Sequence, residues 1–195
     1  RQIKPHVLFV AIKGTTLDGH QFIDQAVAEG AKAVLCENLP AKLDEHVCYL
    51  QVENAAKILG TLAANFYDHP SSKLKLVGVT GTNGKTTIAT LLFQLFRELG
   101  YKIGLLSTVQ NQINEQVIPA THTTPDPIAI NGLINDMVDA GCDYCFMEVS
   151  SHSINQYRVF GLDFDIAIFT NLSQDHFDYH KDMLSYSFAK KKFFD

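Results

Sequence analysis

The segment Thr80-Gly81-Thr82-Asn83-Gly84-Lys85-Thr86-Thr87 carries the strongest chemical signal in the chain. Its glycines let the backbone turn tightly and approach an anion closely. Successive amides in such a turn form a nest for phosphate oxygens, and a helix that follows adds partial positive charge. Lys85 is placed to reach the outer phosphates, and the Thr86 hydroxyl to bind magnesium. The chemistry implied is capture of the ATP triphosphate along Gly81, Thr82, Asn83, Gly84, Lys85, Thr86 and Thr87. The general pattern G-x-x-x-x-G-K-[ST] calls for glycine at position 79, where this chain has Val79, with Gly78 one residue earlier. A plain glycine-rich turn bearing a surface lysine is the competing reading. It leaves G-K-T-T between a strong strand and a strong helix unexplained.

Glu148 is the second candidate. It ends an apolar strand, at the sheet edge where α/β proteins bind ligands. A carboxylate there is costly unless it meets a cation. Cys142 and Cys145 form a C-x-x-C, which can be redox-active or half of a zinc site. The other cysteines, Cys36 and Cys48, are far away in sequence, and Cys145 lies in the strand-like run YCFMEV. Reduced, buried thiols are the better reading.

These residues need a frame. The stretch LKLVGVTG (74–81) reads as a buried strand entering the glycine turn, and TTIATLLFQLFRELG (86–100) as the helix leaving it, stopped at Gly100. Further strands are expected at 102–108, 144–150 and 164–170. The last two are apolar nearly throughout, as strands covered on both faces should be. NQINEQVIPA is a hairpin or an excursion. Helix signals resume at 127–140 behind Pro125 and Pro127, and MLSYSFAKKKFF reads as a helix. Ahead of these, strands at 7–12, 31–37 and 47–52 alternate with helices after Asp18-Gly19 and over 53–70. His69-Pro70-Ser71-Ser72 looks like a connector. The reading is an α/β protein of two domains, 1–70 and 71–195, the second built on a mostly parallel sheet.

The 195 residues suit one large domain or two small ones. With 46% apolar and 19% charged residues, disorder is not expected. A net charge of -5 argues against nucleic acid as a partner. No apolar run approaches a membrane span, and the first residues lack a signal-peptide layout. A cytoplasmic monomer is expected, and the absent starting Met suggests that the sequence begins inside a longer protein.

GVTGTNGKTT resembles the ATP loop of the Mur ligase family, which builds the peptide of bacterial cell-wall precursors. T-G-T-N-G-K-T is common there, so the displaced glycine fits. HTTPDP (122–127), MEVSSHSINQYRV (147–159) and TNLSQDHFDYHKDM (170–183) are similar to further blocks of that family. LFVAIKGTTLDGHQFIDQAVAEGA resembles its nucleotide-sugar domain. The resemblance therefore covers nearly the whole chain. It implies a small N-terminal α/β domain binding the UDP-sugar, then a P-loop ATPase domain. It implies an ATP-dependent ligase adding the third residue, meso-diaminopimelate or alternatively lysine, to UDP-N-acetylmuramoyl-L-alanyl-D-glutamate (UDP-MurNAc dipeptide) through an acyl phosphate. Small molecules are thus the expected partners: ATP, the UDP-sugar dipeptide and the amino acid.

The same resemblance assigns residues. Glu148 and His176 are implied as magnesium ligands, Lys190 as a lysine carbamylated by carbon dioxide to assist a second magnesium. Without the resemblance, Lys190-Lys191-Lys192 reads as a solvated helix face. Thr123 and Thr124, with His122 beside them, are implied contacts to the muramoyl peptide, as are Ser150, Gln156 and Arg158. Some relatives have Asn at the position of His122. Thr15, Thr16 and Leu17 fall where relatives contact the uridine ligand. The family also has a third domain, which brings the arriving amino acid, so the 195 residues alone are not expected to complete ligation. A folylpolyglutamate synthetase-like ligase shares a similar loop but not, as a rule, the front domain or the EVSSH block. A non-catalytic ATP-binding module would lack the set Glu148, His176 and Lys190.

Overall fold

The computed structural model describes residues 6–15, 17–120, 122–175 and 179–195. The chain folds as two compact units, Arg1–Leu59 and Gly60–Asp195. In the first, β1 (Leu8–Val10), β2 (Ala33–Cys36) and β3 (Cys48–Gln51) form a parallel sheet in that order. The helix α1 (Ile23–Ala28) packs Ile23 against Ala11, Val34 and Cys36. A 3-10 turn, Gly19–Phe22, precedes α1 and is capped by the Asp18 carboxylate, which accepts from the His20 amide. His20 Nδ1 lies 2.6 Å from the same carboxylate, while Nε2 accepts from the amides of Glu37 and Asn38. One imidazole thus ties the turn to the end of β2.

The helix α2 (Ala55–Phe66) contains the division between the units. The expected connector at His69 to Ser72 lies in the second unit, where Pro70–Lys73 forms a 3-10 turn.

The second unit holds β4 (Lys75–Thr80), β5 (Ile103–Leu106), β6 (Gln110–Ile113), β7 (Gln116–Pro119), β8 (Tyr144–Glu148) and β9 (Ile166–Phe169). Their order in the sheet is β7-β6-β5-β8-β4-β9. The run β5-β8-β4-β9 is parallel. NQINEQVIPA forms an antiparallel hairpin, β6 and β7, beside β5. Its two-residue turn starts at Asn114, φ 51, a conformation that asparagine tolerates better than most residues.

Strand periodicity sorts the core into two layers. Val77, Val79, Ile103, Leu105 and Phe146 face α3 (Lys85–Glu98), which offers Ala89 and Phe93. Leu76, Leu106, Cys145 and Met147 face the other side, with Ile130, Ile134 and Met137 of α4 (Pro127–Asp139). The start of α4 follows from Asp126, whose carboxylate accepts from Ile128 and Ala129, and from Pro127 at the first helical position. Two further helices are α5 (Ser151–Asn155) and α6 (Met183–Lys191), the latter closed by a capping box between Asp182 and Ser185.

β8 is buried as its composition predicts, but β9 is not covered on both faces. Among the described residues it pairs only with β4, at the sheet edge, and Ile166 and Phe169 are about half exposed. All four cysteines are free thiols; Cys36, Cys142 and Cys145 are buried and Cys48 is exposed. Burial pushes the Cys142 and Cys145 thiols up, away from the reactive thiolate. Among the described residues, no helix is long and apolar enough to cross a membrane.

Candidate active site

The glycine turn sits between the C-terminal end of β4 and the start of α3. Gly81 takes φ 146 and Gly84 φ 85, both in the region that side chains disfavour. A Cβ at Gly81 would come within 1.9 Å of the Thr170 hydroxyl. Gly78, by contrast, belongs to the strand. Its missing Cβ leaves room for the rings of Phe164 and Phe193, and Val79 packs toward α3. The displacement from the general pattern has a packing cause.

Loop and sheet edge are clamped together. The Thr82 amide donates to the Asn171 carbonyl, and the Asn83 amide to the Asn171 side-chain oxygen. Asn171 Nδ2 and the Thr170 hydroxyl both donate to the Asn83 carbonyl. These two amides therefore hold the loop's shape. The groups left for an anion are at the head of α3, where Gly84 is the N-cap and no side chain caps the helix. A helix leaves its first amides without intrahelical acceptors, so this end suits phosphate.

Lys85 Nζ folds back onto the carbonyls of Gly81 and Thr82, at 3.0 and 2.9 Å. Burial holds its pKa below the usual lysine range, against the pull of Glu148 and Asp175. Lys190, on α6, also donates to the Gly81 carbonyl, at 2.8 Å. It is only 2% exposed, with its ammonium over the Tyr186 ring. Burial, and then the neighbouring charge of Lys85, push its pKa down to about 8. The solvated face that the lysine run would otherwise suggest does not describe Lys190, although Lys191 and Lys192 are less buried.

Glu148 is 1% exposed at the end of β8. Its Oε1 accepts from the Thr108 amide at 2.7 Å, and its Oε2 from the hydroxyls of Thr86, 3.0 Å, and Thr108, 3.2 Å. Thr86 Oγ1 and the Glu148 carboxylate thus offer two adjacent oxygen ligands beside the anion cradle. Magnesium takes one or two protein carboxylates or hydroxyls together with substrate phosphates, so this donor set fits it. Among the described residues no cluster of three or more His, Cys, Asp or Glu is placed to hold a metal. His176 lies outside the described residues.

A cleft of about 460 Å³ opens here, lined by Thr82, Asn83, Gly84, Lys85, Thr86, His122, Thr123, Thr124, Glu148, Ser150 and Arg158, all singled out by sequence. Thr108 and His152 also line it. Sequence reasoning missed both, and also the clamp residue Asn171. Thr124 donates to the Glu148 carbonyl and accepts from the Ser150 amide, joining the T-T pair to β8. Gln156, Thr87, Gly81 and Lys190 are not among the lining residues. Gly81 and Lys190 support the loop from behind through their shared hydrogen bond. Thr15 and Leu17 are exposed on the first unit, in a tight turn closed by the Gly14 amide on the Leu17 carbonyl. Thr16 lies outside the described residues.

Residues 79–195 match the Mur ligase middle domain, and residues 1–67 match the model described as Mur ligase family, catalytic domain. A relative from Phocaeicola vulgatus, a UDP-N-acetylmuramoyl-L-alanyl-D-glutamate--2,6-diaminopimelate ligase, is 58% identical over 195 residues, covering 100% of this chain and 40% of its own length. A ligase of the same name from Bacteroides fragilis is 59% identical with the same coverage. A solved structure of a ligase so named superposes with a TM-score of 0.82 at 27% identity, over 99% of this chain and 39% of that one. The MurF ligase from Thermotoga maritima in complex with ADP shares the fold, with a TM-score of 0.61 at 22% identity over 98% and 40%. The chain spans about two fifths of the length of the curated relatives it matches. With its middle-domain match extending from Val79 to Asp195, the chain belongs to the Mur ligase family.

Proposed function

We propose that this chain is part of a cytoplasmic ATP-dependent ligase that joins 2,6-diaminopimelate to UDP-N-acetylmuramoyl-L-alanyl-D-glutamate. The observation that carries this reading is one cleft holding the uncapped head of α3, the Thr86–Glu148 pair and the Arg158 guanidinium. The names of the relatives supply the substrate class.

The reaction needs two displacements. A carboxylate oxygen of the glutamyl residue attacks the γ-phosphorus of ATP, the bond to the β,γ-bridging oxygen breaks, and ADP leaves. The amine of the arriving amino acid then attacks the acyl carbon and loses a proton, while inorganic phosphate departs. Lys85 leaves the carbonyls of Gly81 and Thr82 to meet phosphate oxygens, and the first amides of α3 hold them in line. Thr86 and Glu148, with His176, would hold magnesium, a carbamate on Lys190 would assist a second, and the metal would supply charge neutralisation for the transferring phosphoryl group. Burial favours the neutral amine of Lys190 that carbamate formation requires. His122, Thr123, Thr124, Ser150 and Arg158 orient the muramoyl dipeptide, and Thr15, Thr16 and Leu17 its uridine.

Thermal unfolding with candidate ligands tests the reading. ATP with magnesium and UDP-MurNAc dipeptide should each raise Tm. No response to ATP, or stabilisation by a folate in place of the dipeptide, overturns it.

A further inference from the structure

Arg158 has five N–H donors, and three are spent on neutral acceptors. Nε and Nη2 both donate to Oε1 of Gln156, at 3.0 and 2.6 Å, and Nη1 donates to the Thr124 carbonyl at 2.9 Å. Among the described residues, Nη1 and Nη2 each keep one N–H, on a side chain that lines the cleft. That is the arrangement for meeting an anionic oxygen pair. It depends on Gln156 presenting its oxygen, not its NH2, to the guanidinium. A carboxamide turned the other way would set donor against donor.

On its other side the Gln156 carboxamide meets Tyr179, which takes up the NH2 that Arg158 cannot use. Its hydroxyl oxygen accepts from Gln156 Nε2 at 3.4 Å and from Asn155 Nδ2 at 3.2 Å. Its ring packs on His152, which lines the cleft, with centroids 4.1 Å apart. The hydroxyl is therefore held from two sides: by the tilted ring contact and by two amide donors.

We propose that Tyr179 is a positioning residue. Its hydroxyl fixes the Gln156 carboxamide so that Gln156 Oε1 locks the Arg158 guanidinium, leaving two N–H groups for a substrate carboxylate or phosphate. Gln156 then acts behind the cleft wall, as the link between Tyr179 and Arg158. Its effect on the dipeptide substrate rests on the function proposed above; the effect on Arg158 does not.

Tyr179→Phe removes the hydroxyl and keeps the ring against His152. The ligand-free readout is the Arg158 Nε–H signal in 15N NMR of the whole chain. It should be slow to exchange in the wild type and exchange at least several-fold faster in Tyr179→Phe, with Tm little changed. An unaltered Arg158 signal overturns the proposal, whatever the substrate. The second readout is calorimetric titration with UDP-MurNAc dipeptide. Loss of this one long, neutral hydrogen bond predicts affinity about two- to five-fold weaker, with ATP affinity unchanged. In a Gln156→Ala background the same change should have no further effect, because the link is already cut. Full additivity of the two substitutions overturns the proposal. If the wild type does not bind the dipeptide, the substrate reading fails, and the NMR result still decides the role of Tyr179.

Discussion

Lys85 and Lys190 share one acceptor. Both ammonium groups donate to the carbonyl oxygen of Gly81, Lys85 from the first turn of α3 and Lys190 from α6, 109 residues away in sequence from Gly81. Two like charges on one oxygen oppose each other; burial holds both lysines below the ordinary range, and the charge of Lys85 lowers Lys190 further. On the function proposed above, an anion entering the cradle would relieve that opposition by drawing Lys85 away.

Stability should therefore depend on pH through Lys190. Its folded pKa of about 8 lies below the ordinary 10.5, so between these values the unfolded chain binds more protons. The cost of burying the ammonium is fully present below about pH 8 and is relieved as pH rises through that window. Lys190→Met removes the titrating group. Urea unfolding of the two proteins from pH 7.5 to 10 should show the wild type gaining on the variant by on the order of 2 kcal/mol. A pH-independent difference would remove the basis for a readily neutralised amine.

Glu148 gives a second test, because its neighbours are all hydrogen-bond donors. Glu148→Gln keeps an acceptor for the Thr108 amide and removes the negative charge. The fold should survive, while magnesium no longer tightens ATP binding. Titrating ATP with and without magnesium measures this. The wild type should show at least a ten-fold metal effect, and the variant almost none.

The loop clamp gives a third. Asn171→Ala deletes the side chain that accepts from the Asn83 amide and donates to its carbonyl. Two hydrogen bonds of about 1 kcal/mol each predict a loss of about 1–2 kcal/mol in stability. ATP affinity should fall as well, because the loop no longer holds one shape. Unchanged affinity with reduced stability would show that the cradle does not need the clamp.

That clamp marks the limit of what the sequence discloses. β4, the glycine turn and α3 were legible because their signals are local: an apolar run, two glycines and helical spacing of Ala89 and Phe93. The start of α4 was legible for the same reason, through Pro125 and Pro127, while the Asp126 cap emerged only in the structure. β6 resisted, since Gln110, Asn111 and Gln112 carry no apolar alternation, and Asn111 and Gln112 are nonetheless buried in the sheet. Asn171, Thr108 and Tyr179 act on partners 23 to 88 residues away. Nothing in their own neighbourhoods announces those partners. Gln156 was expected at the site only through the resemblance, and its place behind Arg158 needed the geometry.

Gly78 separates packing from binding within one glycine-rich stretch. A Cβ there would lie 2.4 Å from Phe193 and 2.7 Å from Phe164, rings that meet edge to face with centroids 4.8 Å apart. Gly78→Ala must displace those rings, which predicts a cost of about 1–3 kcal/mol, less the modest gain of alanine over glycine in a strand. Trimming the obstacle with Phe193→Leu should recover part of the loss. ATP affinity should not change, because the strand, not the cradle, is altered. Gly81→Ala should behave differently: its φ of 146 and the Thr170 hydroxyl 1.9 Å from the new Cβ distort the loop itself. Chemical denaturation and ATP titration on both variants compare them directly. Gly78→Ala should lose stability alone, and Gly81→Ala both stability and nucleotide; equal loss of ATP affinity in both would mean that β4 strain reaches the cradle.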